Sequence, residues 1–338
     1  MIKIKISCQN NNFPLIRQTP GANGVWGNCK FFINQEINEC DYWIIYEDID
    51  NSESCKCPLE NVIFISGEPQ SVKQYNTSFL KQFPIIMTTQ NEININKTIH
   101  TQTSLPWLIG VSYSLQKKQW NSSKYLTYDD FKNKLIVKKD KLLSVCISNK
   151  TSTKGHRDRL KFVEQLKEQF GSELDIYGRG FNEIEDKGMA IFNYKYCIVI
   201  ENCQQENYWT EKLADTFLGG AYPIYYGCSN IFDYFNKASL TCIDIYDIHK
   251  SINIINGLIS NNQFEKSLEH IKLSRELILD QYNLFELINK YIVANENKNI
   301  IMNQITIKPH RNFRISRYFY INGKPNMFLK FYKHIIKR

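Results

Sequence analysis

The chain has 338 residues, enough for two domains of ordinary size, and a content of 43% hydrophobic and 13% aromatic residues that excludes a disordered or fibrous protein. The formal net charge of +8 is gathered at one end: nine of the 42 Lys and Arg, and none of the 34 Asp and Glu, fall within residues 308–338. The remainder is close to neutral, so a basic groove running through the whole fold is not implied.

Residues 2–7 alternate as a strand does and lack the apolar core of about 7–15 residues that a signal peptide carries. No segment approaches the ~20 apolar residues of a membrane helix, and a cytoplasmic protein is expected. The ten cysteines include no Cys-x-x-Cys pair, Cys55 and Cys57 being one residue apart, and they read as reduced and structural. Short apolar runs at 43–46, 62–66 and 84–88 predict buried strands, the second stopped by Gly67-Glu68-Pro69. Their spacing of about 15–20 residues suits α/β units. Residues 112–140 are polar and rich in Lys, with no apolar period before Phe131, and the domain junction is expected there. A clearer pattern follows: a strand at 142–147, a polar loop at 148–155, and a helix at 156–170 with Leu160, Val163, Leu166 and Phe170 on one side. Strands at 174–177 and 196–200 come next, then a helix at 210–218 stopped by Gly219-Gly220. A strand at 222–226, a short helix at 231–235, a strand at 240–245 and continuous helix over 262–296 complete the pattern. Strand, loop and helix repeated in this way predict parallel sheets with helices on both faces, and two such domains in tandem leave a cleft between them.

Residues 194–235 carry the chemistry. A buried strand runs into Glu201-Asn202, and after a polar loop Tyr208-Trp209-Thr210-Glu211-Lys212 opens a helix. Thr210 is placed to cap that helix, and a helix start offers free N–H donors and partial positive charge to an anion. Lys212 adds a full charge suited to a diphosphate, and Glu211 can accept hydrogen bonds from two vicinal hydroxyls, as a ribose presents. Glu followed by Lys in a first turn is also the ordinary composition of a solvated helix start, so the pattern alone leaves both readings open.

The stretch resembles the signature of the α-1,3/1,4-fucosyltransferases, glycosyltransferase family 10. The family's Phe-Glu-Asn-Ser, Tyr-x-Thr-Glu-Lys and Pro-(Val/Ile)-Tyr-x-Gly stand here, in that order, as Ile200-Glu201-Asn202-Cys203, Tyr208-Trp209-Thr210-Glu211-Lys212 and Pro223-Ile224-Tyr225-Tyr226-Gly227, with the acidic turn at 244–247 beyond them. Upstream, Ser148-Asn149 followed by Arg159 matches the family's Ser-Asn and helix-start Arg, although the longer loop leaves Arg157 as an alternative. Glu68 sits where the family has its catalytic base.

The resemblance implies two Rossmann-like α/β domains facing across a cleft, the GT-B arrangement: an acceptor-binding domain over 1–125, a donor-binding domain over 126–306, and a basic, aromatic, helical tail over 307–338. It implies inverting transfer of L-fucose from GDP-fucose to a glycan hydroxyl, O3 by analogy, in surface polysaccharide or lipopolysaccharide synthesis. Glu68 would be the base, with Arg159, Tyr208, Glu211, Lys212, Asn202 and Glu201 at the donor and no metal or other cofactor required. Another GDP-linked sugar stays open, because the motifs report on diphosphate and ribose more than on the hexose. Asp48-Ile49-Asp50 could hold a divalent cation in a metal-dependent transferase, but its setting reads as a solvated turn. The basic, aromatic segment 308–338 suits an anionic membrane surface on the cytoplasmic side. Nucleic acid is the alternative partner from a different class, and is not expected.

Overall fold

A computed structural model describes residues 1–9, 12–133, 138–295 and 301–313, with the backbone alone of 320–321 and 324–325. The first half contributes β1 (Ile2–Cys8), β2 (Val25–Trp26), β3 (Cys29–Ile33), β4 (Tyr42–Tyr46), β5 (Glu53–Pro58), β6 (Val62–Ile65), α1 (Thr77–Leu80), β7 (Ile85–Thr88) and β8 (Lys97–His100). Seven of these strands form one sheet in the order β2-β3-β1-β4-β6-β7-β8, parallel except for β2. The Tyr-Trp-Ile-Ile-Tyr of β4 and the Val-Ile-Phe-Ile of β6 are buried on both faces, which explains why they read as continuous apolar runs and not as alternation. Alternate residues feed two cores. Ile4, Ile6, Ile44, Ile63 and Ile65 lie in one, and Trp43, Ile45, Val62, Phe64 and Ile86 lie in the other, against Phe79 and Phe83.

A hairpin of β9 (Val111–Ser114) and β10 (Gln119–Tyr125) and the helix α2 (Tyr128–Asn133) lead into the second half. There β11 (Lys141–Cys146), α3 (Lys154–Phe170), β12 (Leu174–Tyr177), β13 (Tyr194–Ile200), α4 (Glu211–Leu218), β14 (Tyr222–Tyr226) and β15 (Thr241–Cys242) alternate as expected, followed by α5 (Ile248–Ser260), α6 (Gln263–Lys266) and α7 (Leu268–Asp280). The sheet runs β12-β11-β13-β14-β15, all parallel. The chain moves outward from β11 to β12, then back across β11 to β13. The crevice beyond the C-terminal ends of β11 and β13 is therefore the topological switch point, where open α/β sheets bind ligands.

The expected boundaries need correction at the C-terminal side. The helix foreseen over 262–296 is broken at Ser267 and again at residues 281–283, where the Asn283 side chain accepts the Phe285 N–H at 3.1 Å and starts a new helix. That helix, α8 (Leu284–Ala294), belongs to the first domain: Leu284, Phe285, Ile288 and Ile292 are buried with Ile4, Ile44 and Ile63. A strand then follows, β16 (Met302–Ile307), antiparallel to β5 from Met302 opposite Pro58 to Ile307 opposite Glu53. Residues 284–307, expected in the 126–306 donor domain, thus complete the first domain. Its second core needs them, since Ile305 and Ile307 pack with Cys55, Cys57 and Phe79.

The expected 307–338 tail also begins inside the first domain. His310 is buried, its Nε2 accepts the Asn76 N–H at 2.9 Å, and its own N–H donates to Asp48 at 2.9 Å. Asp48 is therefore a buried cap and not the solvated turn expected. Among the described residues no group of three or more His, Cys, Asp or Glu could hold a metal ion. The rest of the segment foreseen as a membrane-binding tail lies outside the described residues, apart from the backbone pairing of 320–321 with 324–325. No described helix is long and apolar enough to cross a membrane, and all ten cysteines are free.

The crossing between domains is held from both sides. Buried Arg17 donates to the carbonyls of Trp107, Ile109 (3.1 Å) and Leu126 (2.6 Å). From the second domain Asp215 accepts the N–H groups of Leu108 (2.9 Å) and Ile109 (3.1 Å), and Asp186 accepts that of Gly110 (2.8 Å). A strap whose amides and carbonyls are largely claimed by side chains of both domains ties the hairpin to the two sheets.

Candidate active site in the interdomain cleft

In the second domain the site is assembled on Glu201, the first residue beyond β13. Glu201 is completely buried. One carboxylate oxygen accepts the Thr210 N–H at 2.9 Å, and both accept from the Thr210 hydroxyl, at 2.9 and 2.8 Å. The Lys212 ammonium closes the cluster, 3.0 Å from Glu201 and 3.0 Å from the Thr210 hydroxyl. Thr210 is the N-cap of α4, its hydroxyl accepting the Lys212 N–H at 3.3 Å, so the loop end, the cap and the first-turn cation are one hydrogen-bonded unit.

Glu211 points the other way along the same turn. Its carboxylate lies 3.2 Å from Lys187 and 3.6 Å from Lys212, and Lys187 also meets buried Asp215 at 3.1 Å. Burial works to neutralise Glu211, but the two ammonium groups outweigh it and hold its carboxyl down to about 2. Burial likewise works against the charge of Lys212, and Glu201 and Glu211 raise its pKa in spite of it. Sequence reasoning missed Lys187 and Asp215. The spacing of Glu211 and Asp215, one helical turn apart, was a readable signal, whereas Lys187 comes from a loop with no pattern of its own.

Arg159 lies on α3, which Thr153 caps by accepting the His156 N–H at 3.1 Å. A Cβ at Gly155 would stand 1.9 Å from the carbonyl oxygen of Asn202, so the start of α3 rests directly on the loop after β13. The two arginines are placed differently: Arg157 is exposed and donates to the Thr151 carbonyl at 2.8 Å, whereas Arg159 is 4% exposed. Its NH1 is 3.4 Å from the Ile200 carbonyl, its Nε has no hydrogen-bond partner, and no described carboxylate is within ion-pair range. Burial lowers its pKa, opposed by the more distant charges of Glu201 and Glu211 and by Tyr208. Arg159 and Lys212 each sit in the other's field, together with His156. Tyr208 is 1% exposed, and its hydroxyl accepts from Asn202 at 3.3 Å. A cavity of about 380 Å³ opens at this switch point, lined by Thr153, Gly155, Glu201, Asn202, Tyr226 and Tyr246 among others.

Across the cleft, Glu68 follows the end of β6. The N–H groups of Gly67 and Glu68 both donate to one oxygen of Glu47, the second at 2.8 Å, and the Glu68 carbonyl accepts from Gln90 at 2.7 Å. Glu47 is itself held by Lys73 at 2.7 Å and Tyr75 at 2.6 Å. A Cβ at Gly67 would stand 2.4 Å from the tip of the Leu105 side chain, which would have to move to admit it. Burial pushes the Glu68 carboxyl up to about 7. Lys212 of the opposite domain pulls it down, while Glu47, Glu211 and Glu201 push it up. Glu68 and Glu211 line one cavity of about 510 Å³ between the domains. The residues singled out from sequence are divided between two cavities: Glu201 and Asn202 line the one at the start of α3, Glu68 and Glu211 line the one between the domains, and Arg159, Tyr208 and Lys212 line neither.

Two α/β domains built on largely parallel sheets, each presenting ionisable residues beyond its C-terminal strand ends, form the two-Rossmann-domain GT-B arrangement. Residues 136–265 match the family model described as glycosyltransferase family 10 (fucosyltransferase), C-terminal. The likeness to that family spans the middle of the chain, from β11 to α5. Over 153 residues the chain is 26% identical to the human and chimpanzee proteins named 4-galactosyl-N-acetylglucosaminide 3-alpha-L-fucosyltransferase 9, a span of 44% of this chain and 38% of theirs. Among solved structures, an α1,3-fucosyltransferase with GDP-fucose aligns over 88% of this chain and 91% of its own, with a TM-score of 0.47 and 18% identity. The Anabaena protein HepE in complex with UDP aligns over 87% and 99%, with a TM-score of 0.44 and 10% identity.

Proposed function

We propose that the protein transfers L-fucose from GDP-fucose to a glycan hydroxyl with inversion at the anomeric carbon. The observation that supports the donor half is Arg159, a buried guanidinium with an unpartnered Nε and no described carboxylate in ion-pair range, whose charge acts on Lys212 at the start of α4. Such a pair calls for an anion with two charged ends, and a pyrophosphate is one. The family 10 match over 136–265, whose description names a fucosyltransferase, supports fucose as the sugar.

In this reading Glu68 takes the proton of the acceptor hydroxyl, whose oxygen attacks the anomeric carbon on the face opposite GDP. The anomeric C–O bond breaks, and its electron pair leaves with the diphosphate. Arg159 and Lys212 meet the charge that accumulates there. Lys212 is fixed by Glu201 and Thr210, so little reorganisation is needed when the charge appears. Glu211, kept ionised by Lys187 and Lys212, accepts hydroxyl groups of the sugar nucleotide, and Tyr208 and Asn202 wall the pocket. A carboxyl near pH 7 suits a general base, since it is ionised at working pH and still basic enough to take the proton.

Titration calorimetry with GDP-fucose, GDP-mannose, UDP-galactose and GDP tests the reading. It expects GDP and GDP-fucose to bind and UDP-galactose not to. Binding of UDP-galactose in preference to both would overturn it, and preference for GDP-mannose would keep the GDP site but replace the sugar. The cytoplasmic placement and the membrane adhesion of residues 308–338 belong to the same proposal. Because Ile307 and His310 are buried, the truncation for liposome flotation has to follow Phe313. Equal flotation of the full and shortened chains on anionic vesicles would remove the membrane role.

A further inference from the structure

Lys187 stands between the interdomain strap and Glu211. It opens a short 3₁₀ turn, Lys187–Ala190, in the connection from β12 to β13. Its ammonium lies 3.2 Å from Glu211 Oε1 and 3.1 Å from Asp215 Oδ2. Asp215 is completely buried, and its other oxygen, Oδ1, accepts the N–H groups of Leu108 at 2.9 Å and Ile109 at 3.1 Å. One carboxylate thus meets the strap with one oxygen and the lysine with the other.

The turn that carries Lys187 is tied to the same strap. Asp186 Oδ1 accepts the Gly188 N–H at 2.7 Å, which caps the turn, and the Gly110 N–H at 2.8 Å. The Glu185 carbonyl accepts the Tyr113 N–H at 2.8 Å, where β9 has begun. From the first domain Arg17 donates to the carbonyl of Ile109 at 3.1 Å and to that of Leu126 at 2.6 Å. An ammonium on a flexible stem takes its place from its partners, and here both its backbone and its counter-ion are placed by the strap. The other cation near Glu211, Lys212, is 3.6 Å from the same Oε1 but 3.0 Å from Glu201 and from the Thr210 hydroxyl, so Lys187 is the nearer of the two.

We infer that Lys187 is a positioning residue: it holds Glu211 for the ribose hydroxyls of the nucleotide and, through Asp215, links that hold to the order of the interdomain strap. The inference rests on the proposed donor reading and adds to it a coupling between nucleotide and strap. A nucleotide that engages Glu211 steadies Lys187 and Asp215, and the amides that Asp215 accepts open less often.

The full chain and its Lys187→Met and Lys187→Arg variants are titrated by calorimetry with GDP and with its dideoxyribose analogue, which lacks both ribose hydroxyls. Hydrogen exchange in residues 107–113 is followed with and without each nucleotide. In the wild type GDP is expected to bind about tenfold tighter than the analogue and to slow exchange in the strap more than the analogue does. Lys187→Met should cut that discrimination to about two- to threefold, leave the affinity for the analogue within about twofold of wild type, and abolish the extra protection of the strap. Lys187→Arg keeps the cation and should recover most of both. If Lys187→Met fails to fold because Asp215 is left without its counter-ion, Lys187→Met combined with Asp215→Asn removes both charges, keeps an oxygen for the strap amides and is read in the same way. Discrimination by the Met variant equal to that of wild type, equal weakening of both nucleotides, or strap exchange that does not distinguish them in the wild type would each overturn the inference and leave the donor reading standing. A wild type that does not bind GDP, or binds GDP and the analogue alike, would instead overturn the donor reading's placement of Glu211.

Discussion

Replacing Glu68 with Gln separates two effects expected of one carboxyl. A base at this position would contribute about 10²–10⁴-fold to turnover, so under the proposed function Glu68→Gln should lose that factor while GDP still binds. The same side chain carries a cost in stability. Its carboxyl is raised from 4.5 to about 7 by burial, with Lys212 opposing and the neighbouring carboxylates adding. The folded state therefore holds the proton more tightly than the unfolded chain. The ionised carboxylate destabilises the fold above pH 7, and the penalty fades as the pH falls toward 4.5. The full shift corresponds to ~3 kcal/mol, and because the side chain is partly solvated about half of that is expected. Glu68→Gln should thus melt a few degrees higher than wild type at pH 8 and about equal to it at pH 4.5. Activity should follow the ionised fraction, rising through pH 7 and reaching about a tenth of its plateau at pH 6. Scanning fluorimetry across pH, together with release of GDP in a coupled assay, reads both. A flat pH–rate profile between 6 and 8, or a Gln variant that turns over normally and melts lower at pH 8, would refute the reasoning.

Arg159→Lys keeps a positive charge but gives up the planar fork, and should weaken GDP binding by about 10–100-fold in calorimetry, with the melting temperature little changed because no internal ion pair is broken. Gly155→Ala would press a Cβ against the Asn202 carbonyl and move the start of α3 off the loop after β13, so GDP affinity should fall and the fold lose ~2 kcal/mol or more in denaturant melts. Arg17→Met leaves the carbonyls of Trp107, Ile109 and Leu126 without their donor in a buried strap and should cost ~2–4 kcal/mol. Hydrogen exchange should then rise in residues 107–126 before the two sheets are affected.

What was legible in the sequence was local. The strand β13, the cap Thr210 and the helix α4 announce themselves because an apolar run, a hydroxyl cap and a glycine stop fall within 27 consecutive residues, Tyr194 to Gly220. Glu68 was singled out by resemblance, at a Gly-Glu-Pro turn that ends a buried strand. What was missed depends on partners far away in the chain. Met302–Ile307 is polar and exposed along most of its length, and it is a strand only because β5, some 250 residues upstream, supplies the ladder. The hairpin at 111–125 carries Lys and Ser, which concealed that Trp120 lines the cavity between the domains. Lys187 joins the site through Glu211 and Asp215, and nothing in its own neighbourhood predicts that.

The passage of α8 and β16 back to the first sheet has a consequence for biosynthesis. As the chain leaves the ribosome, the segment that starts the first domain emerges without Leu284, Phe285, Ile288, Ile305 and Ile307, which cover its two cores. The middle of the polypeptide, from β11 to α7, has all its sheet partners within reach and can condense earlier. The domain begun first is thus finished last, and a nascent chain stalled before residue 284 would present an uncovered apolar face to any chaperone waiting at the tunnel exit.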